Sequence, residues 1–435
     1  MAKILPLQDD DIISRPKRGL RVVHTADWHL GGEIYLHNLI HEQERFLLWL
    51  VQQLSAVQAD VLIVAGDVFD TRVPPIAAQR LYYEFLSRVQ STCCREVLIL
   101  GGNHDSASFL NSPKTLLEHF HIQVQGNFGS SPQAVCRAIT DQQGEVLLLL
   151  GAVPYLREAE VRRLLSGESY QDYLSDLRTG LAACYAQVWA ELEKRQQSLP
   201  HEVPVLLTGH LPVMGARLTA DEQNLSVYVG NLLPVNEDVF PAAASYVALG
   251  HLHCAQNLGQ RQQIRYSGTP LPLSFSEKEQ HKSVTLLEFS DERLSRQEIP
   301  TGVLYGLREI VGDWSKITTA LQELRSEPLP QLLKISYNGD AAVVTDVEEL
   351  REILRDTAHE VVHFANLARQ KLRRGKSAQK SLQELTPEMV FQHCLQQWEV
   401  PEEKTQQLLD LFNAAQRQLL ADAEVEESTA AEVKQ

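Results

Sequence analysis

The stretch LRVVHTADWHL, residues 20 to 30, decides the fold, because an apolar, strand-like run stops there at two side chains that can bind a metal. The same order, an apolar run followed at once by ligand-type side chains, occurs four more times. The other runs cover residues 61 to 65, 97 to 100, 205 to 207 and 246 to 249. Strands that end along one edge of a sheet can bring distant residues to one pocket. The repeated order therefore predicts an α/β sheet with a metal site at its strand ends.

The side chains that follow these runs are carboxylates, one amide and imidazoles. They are Asp27, His29, Asp67, Asn103, His210, His251 and His253. This mixture suits divalent manganese, iron or zinc, whereas magnesium fits imidazole poorly and no thiolate belongs to the set. Two pairs are spaced two residues apart, so in extended backbone both side chains of a pair would leave on one face. Four of the side chains directly follow a glycine, which permits close approach of the backbone.

Single Gly-His or Gly-Asp steps are usually ordinary turns, so only the joint pattern predicts a site. Three other histidines are left out of it. His24 lies inside the first run and is predicted to be a satisfied core histidine. His119 and His121 follow an amphipathic stretch and are predicted to be surface or helix-end residues. Cys254 adjoins the last block, and we interpret it as a small packed side chain rather than a further ligand.

Length and composition narrow the class of protein. The chain has 435 residues, enough for two or three domains. Its longest apolar stretch, Val146 to Val153, is far shorter than the roughly 20 residues of a membrane-spanning helix. The first nineteen residues lack the features of a signal peptide, and the six cysteines form no Cys-x-x-Cys pair. We therefore expect a cytoplasmic protein that binds no membrane.

The charge balance limits the partners. With 40 basic and 56 acidic residues the formal net charge is −16, which argues against broad nonspecific binding to nucleic acid. A polyanionic substrate would need locally positive ground, part of which two bound divalent ions could supply. Residues 369 to 380 hold six basic side chains and no acidic one. This run is either a solvated linker or a surface that contacts DNA or a partner, and both alternatives stay open.

The alternation of strand-like and helical patterns divides the first part of the chain. Residues 1–19 are predicted to be an irregular arm, and residues 20–300 the metal-binding domain. Within this domain, helices are predicted near residues 38–57, after Pro74, and from Pro154 to Val188. Residues 301–368 alternate more compactly and predict a small α+β domain.

The remaining residues predict a linker, a hairpin and a tail. Residues 369–385 are the predicted basic linker, residues 386–420 a helical hairpin, and residues 421–435 an acidic, disordered tail. Leu411 and Phe412 belong to an apolar face of the hairpin. Such a face commonly docks on a partner, and the alternative is that it packs on its own domain.

Four blocks go beyond a generic metal site. They are Asp27-Trp28-His29-Leu30-Gly31, Gly66-Asp67-Val68-Phe69-Asp70, Gly102-Asn103-His104-Asp105 and Gly250-His251-Leu252-His253. With these blocks the chain resembles the calcineurin-like metallophosphoesterases. The wider blocks at 64–71 and 267–275 are similar to a branch of DNA nuclease subunits in that family. The resemblance implies a four-layer sandwich of two mixed sheets flanked by helices, with a small α+β capping domain and a C-terminal helical hairpin.

Carried over position by position, the resemblance implies a role for each site residue. Asp27, His29, Asp67 and His253 would bind one metal ion, and Asp67, Asn103, His210 and His251 the other. Asp67 would bridge the ions, which clamp a phosphodiester and activate a water. His104 would contact the phosphate and assist the leaving oxygen, and Asp70 would orient it. Archaeal and eukaryotic relatives carry a histidine at the position of Asp70, so its carboxylate would here stabilise an imidazolium.

The resemblance also implies the function. It predicts a manganese-dependent DNA nuclease, an exonuclease on duplex ends and an endonuclease on single strands and hairpins, which acts near the nucleoid in DNA repair, recombination and replication. Two copies would form a homodimer within a heterotetramer, and the C-terminal helices would clasp a coiled-coil ATPase subunit. One alternative is a phosphatase or cyclic-nucleotide phosphodiesterase with the same metal core. Another is a scaffold with an inactive site, which the full ligand set disfavours.

Overall fold

The structure, a computed structural model, describes residues 19–141, 143–161, 170–223, 234–259, 261–290, 293–302, 304–340, 346–369, 391–392, 394–395 and 404–413. The predicted arm lies outside the described residues except for Gly19, the predicted linker except for Arg369, and the predicted tail entirely. By backbone contacts the chain divides into two compact units, residues 1–337 with 344–365, and residues 338–343 with 366–435. The first unit contains all the metal-binding blocks.

Alternating strands and helices make up the first unit. Its strands are β1 (Leu20–Thr25), β2 (Glu33–Ile34), β3 (His37–Asn38), β4 (Val61–Val64), β5 (Glu96–Leu100), β6 (Ile122–Gln125), β7 (Cys136–Thr140), β8 (Val146–Gly151), β9 (Val205–His210), β10 (Tyr246–Gly250), β11 (Gln256–Leu258), β12 (Arg261–Tyr266), β13 (Ser283–Ser290), β14 (Arg293–Pro300), β15 (Gly306–Gly312), β16 (Gln331–Tyr337) and β17 (Glu360–Asn366). Its helices are α1 (Ile40–Ala56), α2 (Ile76–Val89), α3 (Ala107–Asn111), α4 (Lys114–Glu118), α5 (Glu158–Val161), α6 (Tyr170–Gln197), α7 (Trp314–Leu324) and α8 (Val347–Ile353). Every strand predicted before a ligand block is present, and α1, α2 and α6 correspond to the predicted helices.

Two six-stranded sheets organise these elements in the described part of the chain. Their strand orders are β14-β13-β1-β4-β5-β6 and β11-β12-β10-β9-β8-β7. Strands β1, β4, β5 and β6 run parallel in the first sheet, as do β8, β9, β10 and β12 in the second. Every strand that leads to a ligand block belongs to one of these parallel sets. Their carboxyl ends therefore meet along one edge of each sheet, where ligands bind in open α/β sheets.

The alternation of side chains along the strands produces four layers. In β4, Val61 and Ile63 face the second sheet in one buried cluster, while Leu62 and Val64 face α1 and α2 in another. On the far side of the second sheet, α6 packs through Tyr185 and its neighbours in a third cluster. Strands covered on both faces need apolar residues at nearly every position, which explains the continuous apolar runs. This helix-sheet-sheet-helix order is the sandwich that the resemblance implied.

A three-stranded sheet, β15-β16-β17, together with α7 and α8, forms the region predicted as a cap. The order of its strands and helices is as predicted, to within a few residues. Its contacts with the two-sheet part include an ion pair of 2.7 Å between Nδ1 of His37 and Oε2 of Glu360. The hydroxyl of Tyr305 also donates to the main-chain oxygen of Pro272. Both units are thus partly described, and the domain boundaries themselves stay predictions.

The second unit is described in short segments. Residues 391–392, 394–395 and 404–413 are helical, as the predicted hairpin requires. The rings of Phe391 and Phe412 stack with centroids 4.4 Å apart and an interplanar angle of 10°. Leu411 is 66% exposed, so part of the predicted apolar face is open to solvent. Among the described residues, no helix is both long enough and apolar enough to cross a membrane.

Candidate metal centre

The predicted ligands lie at the carboxyl ends of the parallel strands. Asp27 and His29 follow β1, Asp67 follows β4, Asn103 follows β5, His210 ends β9, and His251 and His253 follow β10. Four of them have left-handed backbone, with φ of 54° at Asp27, 46° at His29, 48° at Asp67 and 99° at His251. The extended backbone predicted for the spaced pairs is therefore wrong. Each pair converges through a tight turn, at a strain of about 1–3 kcal/mol per residue that the surrounding structure must hold.

Gly66 and Gly102 account for the glycine that precedes a ligand. A Cβ at Gly102 would stand 2.1 Å from Oδ1 of Asp67, and one at Gly66, where φ is 92°, would stand 2.3 Å from Nδ1 of His210. Both distances are far inside van der Waals contact, so the ligands occupy the space that a side chain would need. The predicted close approach of the backbone is confirmed at these two positions.

Asp67 lies at the centre of the ligand cluster. Its Oδ2 is 3.2 Å from Nε2 of His210 and 3.7 Å from Nε2 of His29. Oδ1 of Asn103 lies 2.9 Å from Nε2 of His210 and 3.0 Å from Nδ1 of His251. The carboxylate thus faces histidines from both sheets. This is the position that a ligand shared by two ions requires.

The ligand atoms form two groups that share Asp67. One group is Asp27, His29 and Asp67, and the other is Asp67, His210 and His251, with the ligand atoms of each group within 4.8 Å of one another. The ring centroid of His253 lies 5.2 Å from that of His29. Nε2 of His29 is buried and has no hydrogen-bond partner among the described residues, which is costly unless a bound group satisfies it. The donor set and this nitrogen both fit divalent metal ions.

His104 stands beside these groups, with its ring centroid 4.8 Å from that of His29. Its side chain is exposed, and Nδ1 donates to the main-chain oxygen of Asp70 at 2.7 Å. The carboxylate of Asp70 contacts His29 instead, with Oδ1 3.1 Å from Nδ1. The predicted pairing of this carboxylate with His104 is therefore wrong. The main-chain N–H of Asp70 donates to the oxygen of Leu30, which ties its turn to the loop that carries His29.

Burial and mutual charge set the protonation of the metal-free cluster. Burial alone would lower the pKa of His29, but the hydrogen bond from Asp70 and the nearby carboxylates raise it to about 9. Burial is likewise outweighed at His210, where Asp67 raises the pKa to about 9. Burial raises the pKa of Asp27 to about 6 and, together with the charge of His210, lowers that of His251 to about 3. Protons on His29 and His210 therefore balance the buried carboxylates.

We expect metal loading to release about two protons per chain at pH 7.5, because a ligand imidazole must be neutral. His29 and His210 carry protons at that pH, with pKa values of about 9. Affinity should consequently rise with pH and level off above pH 9, where both rings are already neutral. Calorimetric titration with Mn²⁺ in buffers of different ionisation enthalpy measures the released protons. A release well below one proton at pH 7.5 would contradict this assignment.

Two buried carboxylates that the sequence prediction missed support the ligand loops. Asp105 accepts three main-chain N–H groups, from the loops after β4 and β5, at 2.8 to 3.1 Å. Oε1 of Glu277 lies 2.9 Å from Nδ1 of His253. Asp105 closes the Gly-Asn-His-Asp block, and Glu277 follows the block at 267–275 by two residues. Neither position signals burial, because the partners come from distant parts of the chain.

The histidines left out of the site behave largely as predicted. His24 is fully buried, and its Nδ1 lies 3.2 Å from the hydroxyl of Tyr246. Its Nε2 has no partner among the described residues, so the ring is satisfied at one nitrogen only. His119 and His121 are exposed. None of the three belongs to the ligand groups.

Comparison with known families divides the chain in two. Residues 20–255 match the family described as calcineurin-like phosphoesterase. Residues 304–398 match the family described as type 5 capsule protein repressor C-terminal domain. The first match spans the two sheets and all seven ligand positions. The second begins just before β15 and runs into the second unit.

Comparison with single proteins gives the same picture. The SbcD subunit of the nuclease SbcCD from Escherichia coli (strain K12) is 32% identical over 414 residues, which cover 93% of this chain and 100% of that protein. The corresponding proteins from Rhodobacter capsulatus and Bacillus subtilis (strain 168) are 34% and 33% identical over 62% of this chain, and over 67% and 66% of their own lengths. Among solved structures, a dimetal phosphatase from Danio rerio aligns with a TM-score of 0.38 at 13% identity, over 65% of this chain and 96% of that one.

Proposed function

Since the chain belongs to the calcineurin-like phosphoesterases and, within them, to the SbcD nuclease subunits, we propose that its metal centre hydrolyses the phosphodiester bonds of DNA by a two-metal mechanism. The observation that carries the proposal is the pair of ligand groups that share Asp67. A shared carboxylate holds two ions close enough to act on one phosphate. The rest of the mechanism follows from the side chains around it.

The ligands divide into two sites. The carboxylate site comprises Asp27, His29, Asp67 and His253, and the amide site comprises Asp67, Asn103, His210 and His251. Four imidazoles among seven side chains favour manganese over magnesium, so we assign Mn²⁺ to both sites. Bound there, the two ions supply an activated water and offset the negative charge that develops on the phosphate.

His104 contributes to the departure of the leaving oxygen. Its Nδ1 donates to the main-chain oxygen of Asp70, and a carbonyl oxygen accepts only a proton-bearing nitrogen. Nδ1 therefore keeps its proton in both charge states of the ring, and only the proton on Nε2 can move. The main-chain N–H of His104 donates to Oδ1 of Asp67 at 2.9 Å, which fixes the distance between this ring and the shared ligand. His104 can thus stabilise the phosphate and act as an acid without binding metal.

Asp70 supports both functions from one position. Its carboxylate holds His29 for the carboxylate site, and its main-chain oxygen holds the ring of His104. We therefore retain Asp70 as the residue that orients His104, through the main chain. Its negative charge acts on the metal ligand instead.

The substrates we propose are duplex ends, cut as an exonuclease, and single strands and hairpins, cut as an endonuclease. The three-stranded sheet with α7 and α8 would cap the site and help to select which DNA enters. A net charge of −16 leaves this chain with little positive surface of its own. Much of the DNA-binding surface would then come from a partner protein.

That partner, we propose, is an SbcC-type coiled-coil ATPase, in keeping with the name of the relative that this chain matches over its full length. The helical segments of the second unit expose Leu411, which fits a surface that docks on the base of a coiled coil. We further propose a homodimer of this chain within a heterotetramer. The complex would act on chromosomal DNA in the cytoplasm, at the nucleoid, in repair, recombination and replication. Sedimentation with and without the partner measures the stoichiometry.

The test of the function is a cleavage assay with end-labelled duplex and hairpin DNA, with and without the ATPase partner. We expect Mn²⁺-dependent cleavage of both substrates, with loss of activity in EDTA. A small chromogenic phosphodiester serves as the comparison substrate. If it were cleaved far better than any DNA, a phosphatase or cyclic-nucleotide phosphodiesterase would replace the nuclease. If metal-loaded protein and partner left all substrates uncut, the inactive scaffold would be favoured.

A further inference from the structure

Both histidines of the carboxylate site have a carboxylate behind them. Oδ1 of Asp70 lies 3.1 Å from Nδ1 of His29, and Oε1 of Glu277 lies 2.9 Å from Nδ1 of His253. A histidine whose outer nitrogen donates to a carboxylate is fixed in one tautomer and one orientation, and its inner nitrogen becomes a stronger donor to a metal. This support is present twice at the carboxylate site.

The histidines of the amide site have weaker support. Nδ1 of His210 donates to the main-chain oxygen of Ala65 at 2.9 Å, and the nearby Oδ1 of Asp27 is 3.9 Å away, beyond hydrogen-bond reach. His251 directs Nδ1 to the amide oxygen of Asn103. The direct ligands differ in the same sense, because the carboxylate site has two carboxylates and the amide site has one carboxylate and one neutral amide. Ligand charge strongly affects the affinity of a site for a divalent cation.

Glu277 is held in a buried network that directs it at His253. Its side chain is 1% exposed, and Oε2 lies 2.6 Å from Nζ of Lys282. Oε2 also accepts the hydroxyl of Thr269 at 3.1 Å and the main-chain N–H of Leu273 at 3.2 Å. With one oxygen anchored by three donors, the other stays in place beside the ring of His253. Burying such an ion pair carries a desolvation cost that apolar residues would avoid, so its retention calls for a role.

We propose that Glu277, anchored by Lys282, is a positioning residue for His253, and that the two carboxylate–histidine pairs make the carboxylate site the tighter metal site, which is filled first. The amide site then fills second, at higher metal concentration. This inference rests on the metal assignment in the proposed function. It goes beyond that assignment by making the two sites unequal and naming the residues responsible.

The test is a titration of the metal-free full-length chain with Mn²⁺, in which electron paramagnetic resonance measures the free ion. We expect two binding steps whose dissociation constants differ by about tenfold or more. Glu277→Gln keeps an acceptor beside the ring but removes its charge, and should weaken the tighter step about 10- to 100-fold, the usual effect of losing such support. The weaker step should change by less than about threefold, because no ligand of the amide site contacts Glu277. Asn103→Ala should weaken the weaker step alone, which assigns each step to its site.

Two further variants separate positioning from folding. Glu277→Gln leaves Lys282 without its partner, so Glu277→Gln/Lys282→Met removes the stranded charge and should show the same selective loss. Glu288→Gln removes the carboxylate of another ion pair, 2.6 Å from Arg21, in the first sheet and away from the metal centre, and should change neither step. Equal affinities in the original chain, or an equal loss at both steps in the Glu277 variants, would overturn the inference alone. A chain that binds no Mn²⁺ would overturn the proposed function as well.

Discussion

Replacing Asp67 with asparagine is expected to weaken both metal sites together and to lower DNA cleavage by about a thousandfold or more, because metal charge stabilisation is worth several kcal/mol and each 1.4 kcal/mol is tenfold in rate. Asp67 is buried between the two sheets, and its Oδ2 faces histidines of both ligand groups. An amide there removes a negative charge from both sites at once. Metal analysis after gel filtration and a Mn²⁺-dependent cleavage assay measure the two effects.

Asp60→Asn is the matched control for this change. Asp60 is also buried, but it precedes β4 whereas Asp67 follows it, so it lies at the opposite edge of the same sheet. Its carboxylate accepts the main-chain N–H of Arg21 at 3.0 Å and faces Arg95 at 2.8 Å. The control should lose stability without losing metal. Two ions still held tightly by the Asp67 variant, with full activity, would refute the shared role of this carboxylate.

The layered fold and the ligand set could be predicted because each depends on a short-range pattern. Buried parallel strands require continuous apolar runs, as in Val61–Val64, and the residue after such a run must lie at the sheet edge. The chemistry of the donors is carried by residue type alone. Five repeats of this order leave few alternatives, which is why the two-sheet sandwich and its seven ligands were accessible from the sequence.

The contacts of Asp70 and Glu277 could not be predicted, because they depend on side-chain direction and on partners far away in the chain. The block Gly66 to Asp70 places Asp70 near His104, but the turn that ties it to Leu30 decides that its carboxylate meets His29. Glu277 reads as one acidic residue in a polar stretch. Its burial appears only when Lys282 at the start of β13 and the loop before it close over it.

The left-handed backbone at the ligands has a similar origin. Extended backbone would place the side chains of Asp27 and His29 on one face of a strand, but β1 ends at Thr25, before either residue. The main-chain N–H groups of both residues instead donate to the loop after β4, at 3.0 Å, to the oxygens of Gly66 and Asp67. Hydrogen bonds between two loops thus hold the strained turns. The ligands converge because these loops are tied together, which no local pattern encodes.

Replacing His104 with asparagine is expected to leave two metal ions bound and to lower the rate of DNA cleavage by about 10²- to 10⁴-fold, the usual contribution of a positioned acid. The ring contacts Asp70 and the shared ligand through its main chain, and its Nε2 is not needed by either ligand group. Metal analysis and a single-turnover cleavage assay separate binding from chemistry. His121→Asn, at an exposed histidine just before β6, is the control and should change neither quantity. An empty metal site in the His104 variant would instead make His104 a ligand, and the acid would have to be sought elsewhere.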